Sequence, residues 1–90
     1  LRAEMSVADA IERAETVLLQ MGLEIVAKEA LEGRLEATAT TFWFGFKDDV
    51  VIRIVGDGEE AVIDLRSKSR VGQSDIGANA DRIREFIRRF

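Results

Sequence analysis

The sequence predicts an α+β fold: a two-layer sandwich of an antiparallel four-stranded meander, with or without a fifth short N-terminal strand, and two helices on one face. Three observations lead there. Successive stretches between residues 23 and 69 alternate apolar and polar residues with period two, and short Gly-containing segments join them. Two other stretches, one before and one after the meander, repeat apolar residues with the helical period. Each helix must bury its apolar stripe, and one face of a single sheet is the simplest place for both. No linker, internal repeat or low-complexity tract interrupts residues 1–90, which read as a single domain.

The elements follow in order. "LRAEM" places Leu1, Ala3 and Met5 on one side of a short strand. Ser6 and Asp9 form an S-x-x-D start for a helix whose buried face is Ile11, Ala14, Val17, Leu18 and Met21, with Gly22 as its stop. "LEIVAKE" and "RLEATATT" form a hairpin around "LEGR", with Leu23, Ile25 and Ala27 sharing a face of the first strand. "FWFGF" is rich in aromatics, and Gly45 within it marks a bulge or bend. "DVVIRIV" and "AVIDLRSKS" are the last two long strands, turning at Asp57–Gly58. A final helix opens near Ser74–Asp75 with Ile76, Ala80, Ile83, Ile87 and Phe90 on its apolar face. This arrangement leaves Val26, Val51, Val55 and Val62 on the sheet face away from the helices, among charged neighbours.

Composition excludes several chemistries. The chain has no Cys and no His, so zinc, copper, haem and iron–sulfur sites lack their usual ligands, and thiol or imidazole catalysis is impossible. No EF-hand spacing is present, and no metal or cofactor is expected. No apolar run is long enough to span a bilayer and no signal-peptide pattern appears, so direct membrane insertion is not expected. The first residue is Leu1, as in an excised or processed piece. Net charge is −4, with 14 acidic and 6 basic side chains in residues 1–65 against 3 and 7 in residues 66–90. Arg82, Arg84, Arg88 and Arg89 complement the C-terminal end of the last helix. Nucleic acid is not an expected partner, because the chain is acidic and Trp43 and the phenylalanines are not interleaved with basic residues.

One segment is too polar for core packing alone. "RSKSRVGQSDIGANADRI" (Arg66–Ile83) follows the strand that pairs with "FKDDVV", so Asp48 or Asp49 should lie opposite Arg66 to Ser69. The preferred reading is structural. Arg66 or Arg70 forks onto one aspartate, and Ser67 and Ser69 satisfy stray backbone groups. Gly72 permits a turn, Ser74 or Asp75 caps the last helix, Gly77 allows close approach and Asn79 bonds back to the loop. The competing reading is an anion site, with Arg66, Arg70 and the hydroxyls gathered at a helix N-terminus. Asp48 and Asp49 are unsuited to paired acid–base catalysis, since adjacent strand residues face opposite ways. No catalytic residue is assigned. Trp43, placed opposite Phe42 and Phe44 by alternation, is the candidate exposed anchor for a partner.

These residues resemble a known family. Phe46, Asp48, Asp49 and Val50, followed by Arg66, Ser67, Ser69, Arg70, Gly72, Ser74, Asp75, Gly77 and Asn79, match an F-x-D-D-V strand and an R-S-x-S-R-x-G-x-S-D-x-G-x-N motif. That pattern is similar to the domain of unknown function 1499 family, over about Gly33 to Phe90. The resemblance implies an envelope or organelle-lumen setting and implies no activity. The sequence thus leads to a non-enzymatic binding or assembly module. Its partner is another protein or a second copy meeting the open sheet face. The alternative is a carrier of a small anionic or apolar ligand, held at the Arg66–Asn79 corner or in a void lined by Ile11, Leu18, Phe44 and Ile83.

Overall fold

The computed structural model describes residues 1–40, 47–69 and 76–90, with the side chains of Ser69, Ile76 and Ala78 outside that description. The elements are β1 (Arg2–Ala3), α1 (Val7–Gln20), β2 (Glu24–Glu29), β3 (Arg34–Thr40), β4 (Lys47–Asp57), β5 (Glu60–Ser69) and α2 (Ile76–Arg89). All pairings are antiparallel, in the order β1-β5-β4-β3-β2. The expected α+β order is present, and the short first strand joins the sheet at the outer edge of the last. "FWFGF", with Trp43, and residues 70–75, with Arg70, Gly72, Ser74 and Asp75, lie outside the described residues.

Local chemistry sets the boundaries. Ser6 has an extended backbone, and its Oγ accepts the Asp9 N–H at 3.1 Å, which starts α1. Gly22 (φ 84°) ends it in the left-handed conformation. Between β2 and β3 the chain makes a 3-10 turn, Ala30–Glu32, closed by Gly33 at φ 66°. The Gly33 carbonyl accepts the Ile54 N–H at 2.7 Å, so its backbone lies directly against β4. A Cβ on Gly33 would fall inside contact distance of the Ile54 carbonyl oxygen, a backbone atom that cannot swing aside. Gly33→Ala should therefore cost about 2–4 kcal/mol in urea unfolding, combining left-handed strain with overpacking. A loss under about 0.5 kcal/mol, the range of neutral surface changes, would contradict this placement.

The β4–β5 turn is a two-residue loop, Gly58–Glu59, closed by Asp57 opposite Glu60, one residue later than the sequence suggested. Asp48 then faces Ser69 and Asp49 faces Lys68, within the expected window. Leu35, Ala37, Val50, Ile52, Ile54, Ala61 and Ile63 point to the helix layer. There they meet Ala10, Ile11, Ala14, Val17 and Leu18 of α1 and Phe86 of α2.

Two expectations need correction. In β2, strict alternation fails at a bulge: Ile25 opposes Ala37, but Ala27 opposes Glu36 and Lys28 opposes Leu35. Lys28 thus turns to the helix layer, where its Nζ donates to Glu12 and Glu15 of α1 at 2.7 and 3.3 Å. In α2 the buried face is rotated from the expected stripe. Phe86 (1% exposed) and Asn79 (7%) are buried, whereas Ile87 is 48% exposed at the rim. The larger apolar side chain takes the core position, and Phe90 packs on Phe86 with ring centroids 5.6 Å apart. The open face carries Val26 and Val55 exposed and Val51 and Val62 half-buried, as the alternation predicted. Among the described residues, no helix is long and apolar enough to cross a membrane.

Candidate functional site

Where β4, β5 and α2 meet, four polar side chains are gathered on the helix side of the sheet. Asp48 follows from strand alternation, since β4 positions 48, 50, 52 and 54 all point inward. Ser67 reaches the same side from β5, two residues beyond Leu65. Asn79 and Arg82 come from α2, three residues apart and therefore on one helical face.

Their hydrogen bonds close on one another. The Ser67 hydroxyl donates to Asn79 Oδ1 at 2.6 Å. Arg82 Nη1 donates to that same oxygen at 2.8 Å and to Ser67 Oγ at 2.9 Å. Arg82 Nη2 lies 3.0 Å from Asp48 Oδ2, an ion pair whose side chains are 15% and 4% exposed. That contact is electrostatic rather than an aligned hydrogen bond, as Asp48 Oδ2 is buried without a hydrogen-bond donor among the described residues. The guanidinium is thus committed to three acceptors, one of them a buried carboxylate. The Asp48 carboxylate already beside the guanidinium opposes an external anion there.

The structure brings together only part of the expected constellation. Asp48, Ser67 and Asn79 meet. Arg66 does not brace the aspartate: even-numbered β5 residues face the open side, and its side chain is 82% exposed, 3.4 Å from Asp64. Asp49 is on that open side too, opposite Thr38 and Lys68, so the two adjacent carboxylates cannot flank one substrate. Gly77 is exposed in the first turn of α2. Asn79 bonds Ser67 of β5 and Arg82 of its own helix. The cation for the aspartate, Arg82, was assigned by sequence to the basic end of the last helix. Its spacing of three from Asn79 was the available signal, since a buried Asn79 carries Arg82 to the same face.

The remaining arginines of α2 are paired within the helix. Arg84 binds Asp81, and Arg88 and Arg89 bind Glu85. Hydrogen bonds from Arg88 and Arg89 hold the Glu85 carboxyl down at about 2. This supports reading that basic stretch as an internally neutralised helix surface.

Two surface features lie outside the brace. A shallow depression of about 540 Å³ on the open face is lined by Asp49, Val51, Arg53, Asp64, Arg66 and Lys68. A second, of about 560 Å³, opens between the end of α1 and α2, where Arg82 and Arg89 are already engaged with carboxylates. Of the residues expected to line an internal void, Ile11 and Leu18 are packed to 0% and 1% exposure and Ile83 sits in a surface groove beside Leu65. Phe44 lies outside the described residues. A family model described as "Protein of unknown function (DUF1499)" matches residues 1–90. A comparison with curated proteins gives no match.

Proposed function

We propose that this chain, which belongs to the DUF1499 family of proteins of unknown function, is a non-enzymatic binding module that meets another protein through the open face of its sheet. One observation carries the reading: both helices lie on the same side of the sheet, and on its other side, among the described residues, no helix packs and valines stand among charges. Val55 is 65% and Val26 56% exposed, positions that a sheet finished by solvent alone would fill with polar residues. On the same face β4 carries Asp49 and Arg53 and β5 carries Asp64, Arg66 and Lys68, both signs interleaved, a pattern that selects a partner by charge register. The setting we infer is the envelope or an organelle lumen, on the strength of the family resemblance.

Site-specific photo-crosslinking tests the proposal. Benzoylphenylalanine placed at Val51 or Val55 should give a discrete adduct in cells making the protein, and Arg53→Glu should abolish it. The same group at the exposed Glu12 or Leu19 of α1 should give none. Adducts only from the α1 positions, or none from the face, would count against the open face as the binding surface.

A further inference from the structure

We infer that the protein met by the open face is a second copy of this chain, seated face to face about a two-fold axis that runs along the strands between β4 and β5. This rests on the open-face reading above and names its occupant.

The strand register points to it. Across the outward rows of β4 and β5, Asp49 stands opposite Lys68, Arg53 opposite Asp64 and Val55 opposite Val62. Each of these rows joins unlike charges or two valines. A two-fold axis along the strands keeps the rows and exchanges the columns, so β4 of one copy lies over β5 of the other. Arg53 then meets Asp64 of the second copy, Lys68 meets Asp49 and Val55 meets Val62, each contact occurring twice by symmetry. In the row between, Val51 meets the aliphatic stem of Arg66. These rows set no like charges together. The turn row, Asp57 opposite Glu60, is the exception, and there Arg2 of the same chain already bridges Asp57 at 2.9 Å.

The side chains are placed for such a contact. Arg53, Val55, Asp64, Arg66 and Lys68 are all exposed. Among the described residues Arg53 and Lys68 make no ion pair, although an aspartate stands opposite each across the strand pair. The second copy supplies a carboxylate to both. Sheets packed face to face cross at about 30°, so rows about 7 Å from the centre shift sideways by about 3.5 Å, less than the strand spacing of about 4.8 Å. Long charged side chains span that offset. A two-strand overlap about 10 Å wide and about 35 Å long falls well short of the roughly 800 Å² per partner of a standard interface. The dimer is therefore weak, in the micromolar range, and weaker still in salt.

Sedimentation of the 90-residue chain over a wide range of concentration tests this, with Arg53→Glu and Asp64→Arg measured alone and mixed. The unaltered chain should dimerise as its concentration rises. Each variant alone sets like charges together across the axis and should bind itself at least about tenfold more weakly. Mixed in equal amounts the two should pair again, because the axis brings opposite signs together at both positions. Loss of folding would not give that rescue. Should either variant fail to fold, Val55→Asp and Val62→Lys pose the same question in the apolar row. A chain that stays monomeric throughout, a dimer indifferent to Arg53→Glu, or variants that stay apart when mixed would each overturn the second copy as occupant. The open-face reading fails separately. A photo-adduct from Val55 at the mass of a different protein keeps that reading and overturns this one. An adduct at twice the chain mass supports both, and no adduct together with no dimer removes both.

Discussion

Arg82→Ala should lower the free energy of unfolding by about 3–5 kcal/mol, the usual result of stranding one partner of a buried ion pair. The side chain contributes in two ways. It neutralises Asp48, which is 3% exposed, and it donates from Nη1 to both Ser67 and Asn79. Removing it leaves a buried carboxylate without its cation and returns Asn79 Oδ1 to the Ser67 hydroxyl alone among the contacts described. Asp48→Asn keeps the shape and removes the charge, and should cost less than Arg82→Ala, because the guanidinium left behind keeps Ser67 Oγ and Asn79 Oδ1 as acceptors. A double-mutant cycle in urea should return a coupling of about 1–3 kcal/mol between the two residues. Should Arg82→Ala fail to fold, Arg82→Lys serves instead. It retains the charge but not the fork that reaches Asp48 and Asn79 together, so it should recover only part of the stability. Strict additivity of the Asp48 and Arg82 effects would contradict the brace.

Phe86→Ala should cost about 3–5 kcal/mol, the range for truncating a buried aromatic. Ile87→Ala should cost about 1 kcal/mol or less, because its side chain is already half in solvent. The contrast matters more than either value. Phe86 is the largest fully buried side chain described in the chain, and it is the α2 residue in the common core with α1 and the sheet. In a domain this small, total stability is about 5–15 kcal/mol, so one such truncation removes a large share of it. Chemical denaturation of the two variants, with midpoint and slope fitted separately, checks the orientation of α2. Equal losses, or a larger loss at Ile87, would restore the stripe that the sequence period suggested.

The reason that stripe was misread is physical. Ile76, Ala80, Ile83, Ile87 and Phe90 fit a helical period by hydrophobicity alone, yet the face is set by what the helix must pack. Here a polar pair, Asn79 and Arg82, is buried at one end, and that rotates Phe86 inward and Ile87 out. A pattern that counts only apolar residues cannot see a helix oriented by its polar contacts. Lys28 failed for the related reason that a single bulge at Val26 reverses the faces of every residue after it. By contrast, the Ser6 cap, the glycine stop at 22, the Gly-containing turn at "LEGR", and the placement of Asp48 and Asp49 opposite the start of the polar motif were all legible. Each depends on local backbone chemistry or on counting from one hairpin turn. Arg66 was misplaced because β5 alternation turns it to the open side, and the arginine beside Asp48 among the described residues, Arg82, is reached through the tertiary fold; Arg70 lies outside the described residues.

The brace also bears on the long polar motif. If Asp48, Ser67, Asn79 and Arg82 hold β4, β5 and α2 together, Ser67 and Asn79 of the motif have a structural use at that junction. Inorganic phosphate titrated into the protein, against chloride at equal ionic strength, tests this most directly. The expected result is no saturable NMR shift at Ser67, Asn79 or Arg82 and the same urea midpoint in both salts. A saturable shift at those three residues, with a phosphate-dependent gain in stability that Arg82→Lys removes, would make the corner an anion site and contradict its role as a brace.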